Sequence, residues 1–230
     1  SICTPAGSPA FISSTSPAPL LTIDTATGQG TQTLLLTSPN PYYYTSVGPA
    51  WLTLSHDETF LCSTNTFNDT VSIIDSANLT ERHQVVFRES GQGIHNPNFT
   101  FRNNVLLNEE GTLGFIASVG TQMLFGVVDR VYEFDPVTGL KIKDEDDKDV
   151  YLATADDPSQ IMFDPSGEFL IVQVTSYDQV DTTDTALYGF PEIDIYKWPT
   201  LELYKVQQFK NPGFNMCRTS QFDFVPNGDG

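Results

Sequence analysis

Short apolar runs broken by turn residues follow one another along the whole chain. Phe169-Leu-Ile-Val-Gln-Val174 and Val71-Ser-Ile-Ile-Asp75 are typical. Both are rich in β-branched and other large apolar residues, and Gly, Pro, Asn and Asp bound such runs throughout. No long stretch repeats its apolar residues with the 3.6-residue period of an amphipathic helix. The pattern predicts an all-β fold.

The runs also recur in groups. Trp51-Leu-Thr-Leu-Ser-His-Asp-Glu-Thr-Phe-Leu-Cys-Ser-Thr64, Val105-Leu-Leu-Asn-Glu-Glu-Gly-Thr-Leu-Gly-Phe-Ile-Ala-Ser118 and Gln160-Ile-Met-Phe-Asp-Pro-Ser-Gly-Glu-Phe-Leu-Ile-Val172 each read as strand, polar turn, strand. A third strand follows in each case: Thr70–Asp75, Arg130–Asp135 and Glu192–Tyr196. A fourth completes the unit at Gln84–Phe87, Leu140–Ile142 and Tyr204–Phe209. One four-stranded sheet exposes two faces and covers neither. Sheets stacked face to face bury both, which is the logic of a β-propeller blade.

The ends of the chain supply a further unit. Pro9–Ser14, Pro19–Asp24 and Thr31–Leu36 read as strands two to four of a blade, and Ser220-Gln-Phe-Asp-Phe-Val-Pro-Asn-Gly228 reads as a first strand with its turn. The expectation is one β-propeller domain over 1–230 with four four-stranded blades. These comprise 218–230 with 8–37, then 48–89, 101–146 and 157–210, so that one blade is closed by both termini. The alternative is part of a larger seven- or eight-bladed propeller. Cys3 and Cys217 flank the mixed blade, and a disulfide between them would lock that closure. Cys62 falls in a second strand and reads as a small buried apolar residue.

Leu54-Ser-His-Asp-Glu-Thr-Phe-Leu-Cys-Ser-Thr-Asn65 with Val71–Asp75, and Phe163-Asp-Pro-Ser-Gly-Glu-Phe-Leu-Ile-Val-Gln173, resemble the YVTN/lactonase-type β-propeller repeats. Ile23-Asp-Thr-Ala-Thr-Gly28 and Phe134-Asp-Pro-Val-Thr-Gly139 resemble that family's third-strand exit. The resemblance implies blade architecture. The family includes sugar-lactone hydrolases, muconate-type cyclases and many surface or binding proteins, and no residue here matches lactonase catalytic positions.

Charge narrows the partners. With 11 Lys+Arg against 29 Asp+Glu, the formal net charge is −18. Nucleic acid is excluded as a partner, since phosphate contacts need a basic face. No run approaches the roughly 18 apolar residues of a membrane span. Three sequons, at Asn68, Asn78 and Asn98, point to a secreted, extracellular glycoprotein. Three cysteines without a CxxC or a Cys/His cluster give no zinc pattern.

Candidate chemistry gathers where the chain approaches each first strand. His95, Arg102, Asp156, Asp157 and Arg218 would meet at the mouth of a propeller channel, where a His/Arg/acid set could polarise a lactone or ester. They serve equally well as mutual charge neutralisation. The run Asp144-Glu-Asp-Asp-Lys-Asp149 offers Asp144, Asp146 and Asp147 as Ca²⁺ oxygen ligands, though without EF-hand spacing. Its other reading is a solvated loop between blades, and no other cofactor is implied. Asp178, Asp181 and Asp184 mark a Thr-rich insertion, and Pro39-Asn-Pro-Tyr-Tyr-Tyr44 an aromatic loop suited to protein or carbohydrate contact.

Two functions follow. The favoured one is a non-enzymatic structural or interaction module of an extracellular surface, matrix or filament, partnered by other extracellular proteins, glycans or copies of itself. The alternative is a lactonase- or cyclase-like enzyme acting on a small sugar-derived or aromatic acid.

Overall fold

The computed structural model describes residues 9–13, 19–36, 49–65, 70–87, 105–118, 130–154, 157–176 and 190–209. Sixteen strands are formed, all paired antiparallel, and no helix occurs among the described residues.

Sheet one holds β1 (Pro9–Ser13), β2 (Pro19–Asp24) and β3 (Gly30–Leu35) in that order. Sheet two holds β4 (Pro49–Leu54), β5 (Phe60–Asn65), β6 (Thr70–Asp75) and β7 (Glu81–Val86). Sheet three runs β8 (Val105–Leu107), β9 (Gly114–Ser118), β10 (Arg130–Asp135) and β11 (Leu140–Lys141), and β12 (Tyr151–Ala153) also pairs with β10. Sheet four holds β13 (Asp157–Phe163), β14 (Phe169–Ser176), β15 (Phe190–Lys197) and β16 (Glu202–Gln208). The expected first strand of sheet one, within 218–230, lies outside the described residues, so β1, β2 and β3 are its second, third and fourth strands.

The turns show why these residues form these strands. At the exit of each third strand in sheets one to three an Asp bends the chain. The carboxylates of Asp24, Asp75 and Asp135 accept the N–H groups two and three residues on. The N–H four residues on returns to the Asp carbonyl, from Gly28, Leu79 and Gly139, and all three adopt positive φ. Glycine suits two of these positions because an L side chain is strained there. Sheet four keeps the geometry with Lys197 and Leu201 but lacks the carboxylate.

First-to-second-strand turns use the same device. Asp164 accepts from the N–H groups of Ser166 and Phe169, and Asn108 from those of Thr112 and Leu113. In sheet two the Ser55 hydroxyl donates to Asp57 at 2.7 Å and accepts from Phe60 N–H. His56-Asp57 is therefore a turn, as its position between strands suggested.

Three apolar seams hold the sheets together in chain order. Phe11, Leu20 and Leu36 of sheet one meet Leu52, Leu61 and Ile74 of sheet two. Phe60, Cys62, Ile73 and Phe87 meet Ile116, Tyr132 and Phe134 in the second seam. Phe115, Ala117, Val131 and Leu152 meet Ile161, Leu170, Val172, Val174 and Tyr196 in the third. Because both faces of a central strand are covered, β5 and β6 are buried almost without alternation. Cys62 is free and fully buried, and burial pushes its thiol well above the ordinary range.

Sheet three departs from the four-strand expectation. β11 pairs with β10 at Phe134 and Asp135, and β12 pairs with β10 at Arg130–Tyr132. The two are halves of one outer strand. Between them residues 142–150 leave the sheet as a small hairpin and return, with the carbonyl of Glu133 accepting from Ile142 and its N–H donating to Val150.

Candidate functional site

Of the channel-mouth candidates, His95, Arg102, Asp156 and Arg218 lie outside the described residues. Asp157 opens β13, paired with Thr175. Cys3, Cys217, Asn68, Asn98, the Tyr42–Tyr44 loop and the Asp178–Asp184 insertion also lie outside them. Asn78 is described. It is exposed in the β6–β7 turn, where its carbonyl oxygen accepts from the N–H and hydroxyl of Thr80.

The acidic run forms the tip of the hairpin inserted between β11 and β12. Asp144 accepts from the N–H groups of Asp146 and Lys148. Asp147 pairs with Lys143 at 2.8 Å, Asp146 with Lys148 at 3.1 Å, and Asp149 with Lys141. The run thus belongs to the outer strand of sheet three rather than to a connection between sheets. Among the described residues no three His, Cys, Asp or Glu side chains gather in a metal-holding arrangement.

The turn carboxylates carry lowered pKa values, each for a structural reason. The Ser55 hydroxyl lowers Asp57, with the Thr59 N–H adding to it. Arg82 lowers Asp75 through a 2.6 Å ion pair, and the backbone N–H groups of Ala26 and Thr27 lower Asp24. Burial pushes Asp135 and Asp164 upward, but the hydroxyls of Thr138 and Ser166 with nearby N–H groups outweigh it and leave both below the ordinary value. These groups hold turns in place at the strand ends.

The ionisable groups with no such explanation lie in the third seam. Glu192 and Asp194 of β15 are 3% and 4% exposed. They pair across β14 with Val174 and Val172, while Tyr196 pairs with Leu170. Antiparallel partners share a face, so the two acids point with the apolar residues of the seam toward sheet three. Gln208 donates its amide to Glu192 at 2.6 Å. Tyr196 and Glu192 both hydrogen-bond Asp194, yet Asp194 Oδ1 has no partner among the described residues. Burial first, then the charge and hydrogen bond of Glu192, push the Asp194 carboxyl up to about 7. Burial and the neighbouring Asp194 push the Tyr196 hydroxyl upward as well.

Glu192-Ile-Asp-Ile-Tyr196 contained the signal for this pair, because alternation puts both acids on one face. Read alone, it assigns the isoleucines to the core and the acids to water. The stacking of sheets on both faces reverses that.

A second polar group lies in the first seam. Asn65 donates to the hydroxyls of Thr70 and Ser72, at 2.9 and 2.8 Å, and all three residues are fully buried. Asn65 Oδ1 and Ser63 Oγ have no hydrogen-bond partner among the described residues.

The same arrangement of sheets is found in solved structures. The chain aligns with hydrazine synthase of Kuenenia stuttgartiensis at a TM-score of 0.65 and 16% identity, over 90% of this chain and 47% of that one. The fold is a β-propeller. A putative 6-phosphogluconolactonase from Bacteroides uniformis aligns at 0.57 and 14%, over 90% of this chain and 56% of that one. Saccharomyces cerevisiae Sqt1 aligns at 0.58 and 10%, over 88% and 46%. This chain thus spans about half the length of these solved propellers. No protein-family model and no curated protein matches it.

Proposed function

We propose that this propeller is an extracellular interaction module: a secreted glycoprotein that binds an extended, basic segment of a protein partner along the outer edge of sheet four. The observation that carries this reading is β16. It is the last described strand of its sheet and is exposed along its whole length. Leu203, Tyr204 and Val206, with Phe209 just beyond, are 55%, 58%, 43% and 46% exposed. An edge strand presents unpaired backbone donors and acceptors, and an added strand satisfies them while its side chains meet such apolar residues. The net charge of −18 favours a basic segment. The exposed Asn78 sequon supports the secreted, glycosylated part of the reading, since a glycan there would project into solvent.

Propellers host unrelated activities, so the fold does not choose between binding and catalysis. The lactonase- or cyclase-like alternative rests on the similarity to the putative 6-phosphogluconolactonase. One experiment separates the two. A display library of extended peptides is selected against the glycosylated protein, and sugar-lactone hydrolysis is measured alongside. Basic peptides that bind wild type and lose at least about tenfold in affinity against Leu203→Lys and Val206→Lys would support the edge, about 1.4 kcal/mol. Lactone turnover with no enriched peptide, or peptides indifferent to both substitutions, would contradict it.

A further inference from the structure

Glu192 and Asp194 stand on a strand face otherwise given to packing. We propose that they form a buried proton-binding site, and that full ionisation of the pair loosens the seam between sheets three and four. The two side chains are two residues apart on one face of β15, each nine-tenths or more buried. Two negative charges so close, and removed from water, repel strongly unless one proton is retained.

The described strand residues around the pair supply no counter-charge. On the same face β14 offers Leu170, Val172 and Val174, β16 offers Val206 and Gln208, and β15 adds Tyr196. The facing surface of sheet three is set by Val131 of β10, which packs in the seam with Phe115, Ala117 and Leu152. Alternation puts Glu133 and Asp135 on that surface too, and both are acids. Arg130 belongs to the opposite face, where its guanidinium lies 4.0 Å from the Tyr151 ring. The described strand residues of these two surfaces include no Lys, Arg or His.

A proton fits better than a metal ion. The Gln208 amide and the Tyr196 hydroxyl both donate to the pair, and donors aimed at carboxylate oxygens take the places a cation needs. A shared proton needs only the two carboxyls. It also forms the Asp194–Glu192 hydrogen bond.

The sign of the pH dependence follows. Asp194 holds its proton more tightly folded than unfolded, so its contribution is fully present below about pH 4 and is lost as pH rises toward about 7.

Infrared spectroscopy near pH 6 reads the proton directly, through the carbonyl band of an un-ionised carboxylic acid. Wild type is expected to show this band and to lose it as pH is raised to about 8, and Glu133→Gln is expected to do the same. Asp194→Asn should lack the band and show less than half of the wild-type fall in Tm between about pH 5 and about pH 8. If Asp194→Asn does not fold, the Glu133→Gln titration still decides. No un-ionised acid in Glu133→Gln near pH 6, or an equal fall in Tm in wild type and a folded Asp194→Asn, would overturn the site.

Discussion

The second and third seams are built on one frame and filled differently. In both, the third strand of the later sheet turns three alternate positions toward the sheet before it. In β10 these are Arg130, Tyr132 and Phe134, and in β15 they are Glu192, Asp194 and Tyr196. The second seam uses them as rings. Phe87 meets Phe134 edge-on at 6.0 Å and Tyr132 at 5.6 Å, and the Arg130 charge rests on Tyr151. The third seam is divided along its length. One end holds Phe115, Phe163 and Trp198 in mutual edge contact, with centroids 5.1 to 6.3 Å apart. The other holds the carboxyl pair. Propeller geometry fixes which positions are covered, while chemistry at those positions decides whether a seam responds to pH.

The strongest way to break the contrast is to remove a ring from the second seam. Phe134 is fully buried, and Phe134→Ala should cost about 3–5 kcal/mol by urea denaturation. Overpacking the same spot is next. Phe134 pairs across the strand with Gly114, and a Cβ there would sit 2.2 Å from its ring. Gly114→Ala should therefore cost about 1–3 kcal/mol. Neither variant should change the pH dependence of the third seam.

Acid sharpens the comparison from the other side. Asp57, Asp75, Asp135 and Asp164 titrate below their ordinary value when folded, so their contribution is present above about pH 4 and is lost as pH falls through the folded values. Together with the carboxyl pair, they predict a Tm that peaks on the acid side of neutrality. Asp164→Asn should flatten the acid limb and leave the neutral limb alone, measured by thermal scans across pH. The smallest effect belongs to the exposed Arg82–Asp75 pair. Arg82→Ala should cost no more than about 1 kcal/mol, and less in high salt.

Much of the fold was legible because turn chemistry and strand pattern agree locally. Asp24, Asp75 and Asp135 announced the third-strand exits, and Pro19–Asp24, Thr70–Asp75 and Arg130–Asp135 have the bounds expected from their residue pattern. β12 was not legible. Tyr151-Leu-Ala153 is short, and the highly charged Asp144–Asp149 before it reads as a loop, whereas it is an excursion that the outer strand makes before rejoining β10. The buried pair was missed for a tertiary reason. Burial on both faces of β15 is decided by sheets distant in sequence, and the local alternation of Glu192, Asp194 and Tyr196 with isoleucine says only which residues share a face. Of the channel-mouth set only Asp157 lies among the described residues, at the start of β13.

Hydrogen exchange followed by mass spectrometry, corrected for the intrinsic effect of pH, tests the contrast between the seams most directly. Between about pH 6 and about pH 8, protection should fall in Phe169–Ser176 and Phe190–Lys197 of sheet four while Phe60–Asn65 and Thr70–Asp75 of sheet two keep theirs. Equal loss in both regions, or none in sheet four, would contradict a pH-responsive third seam.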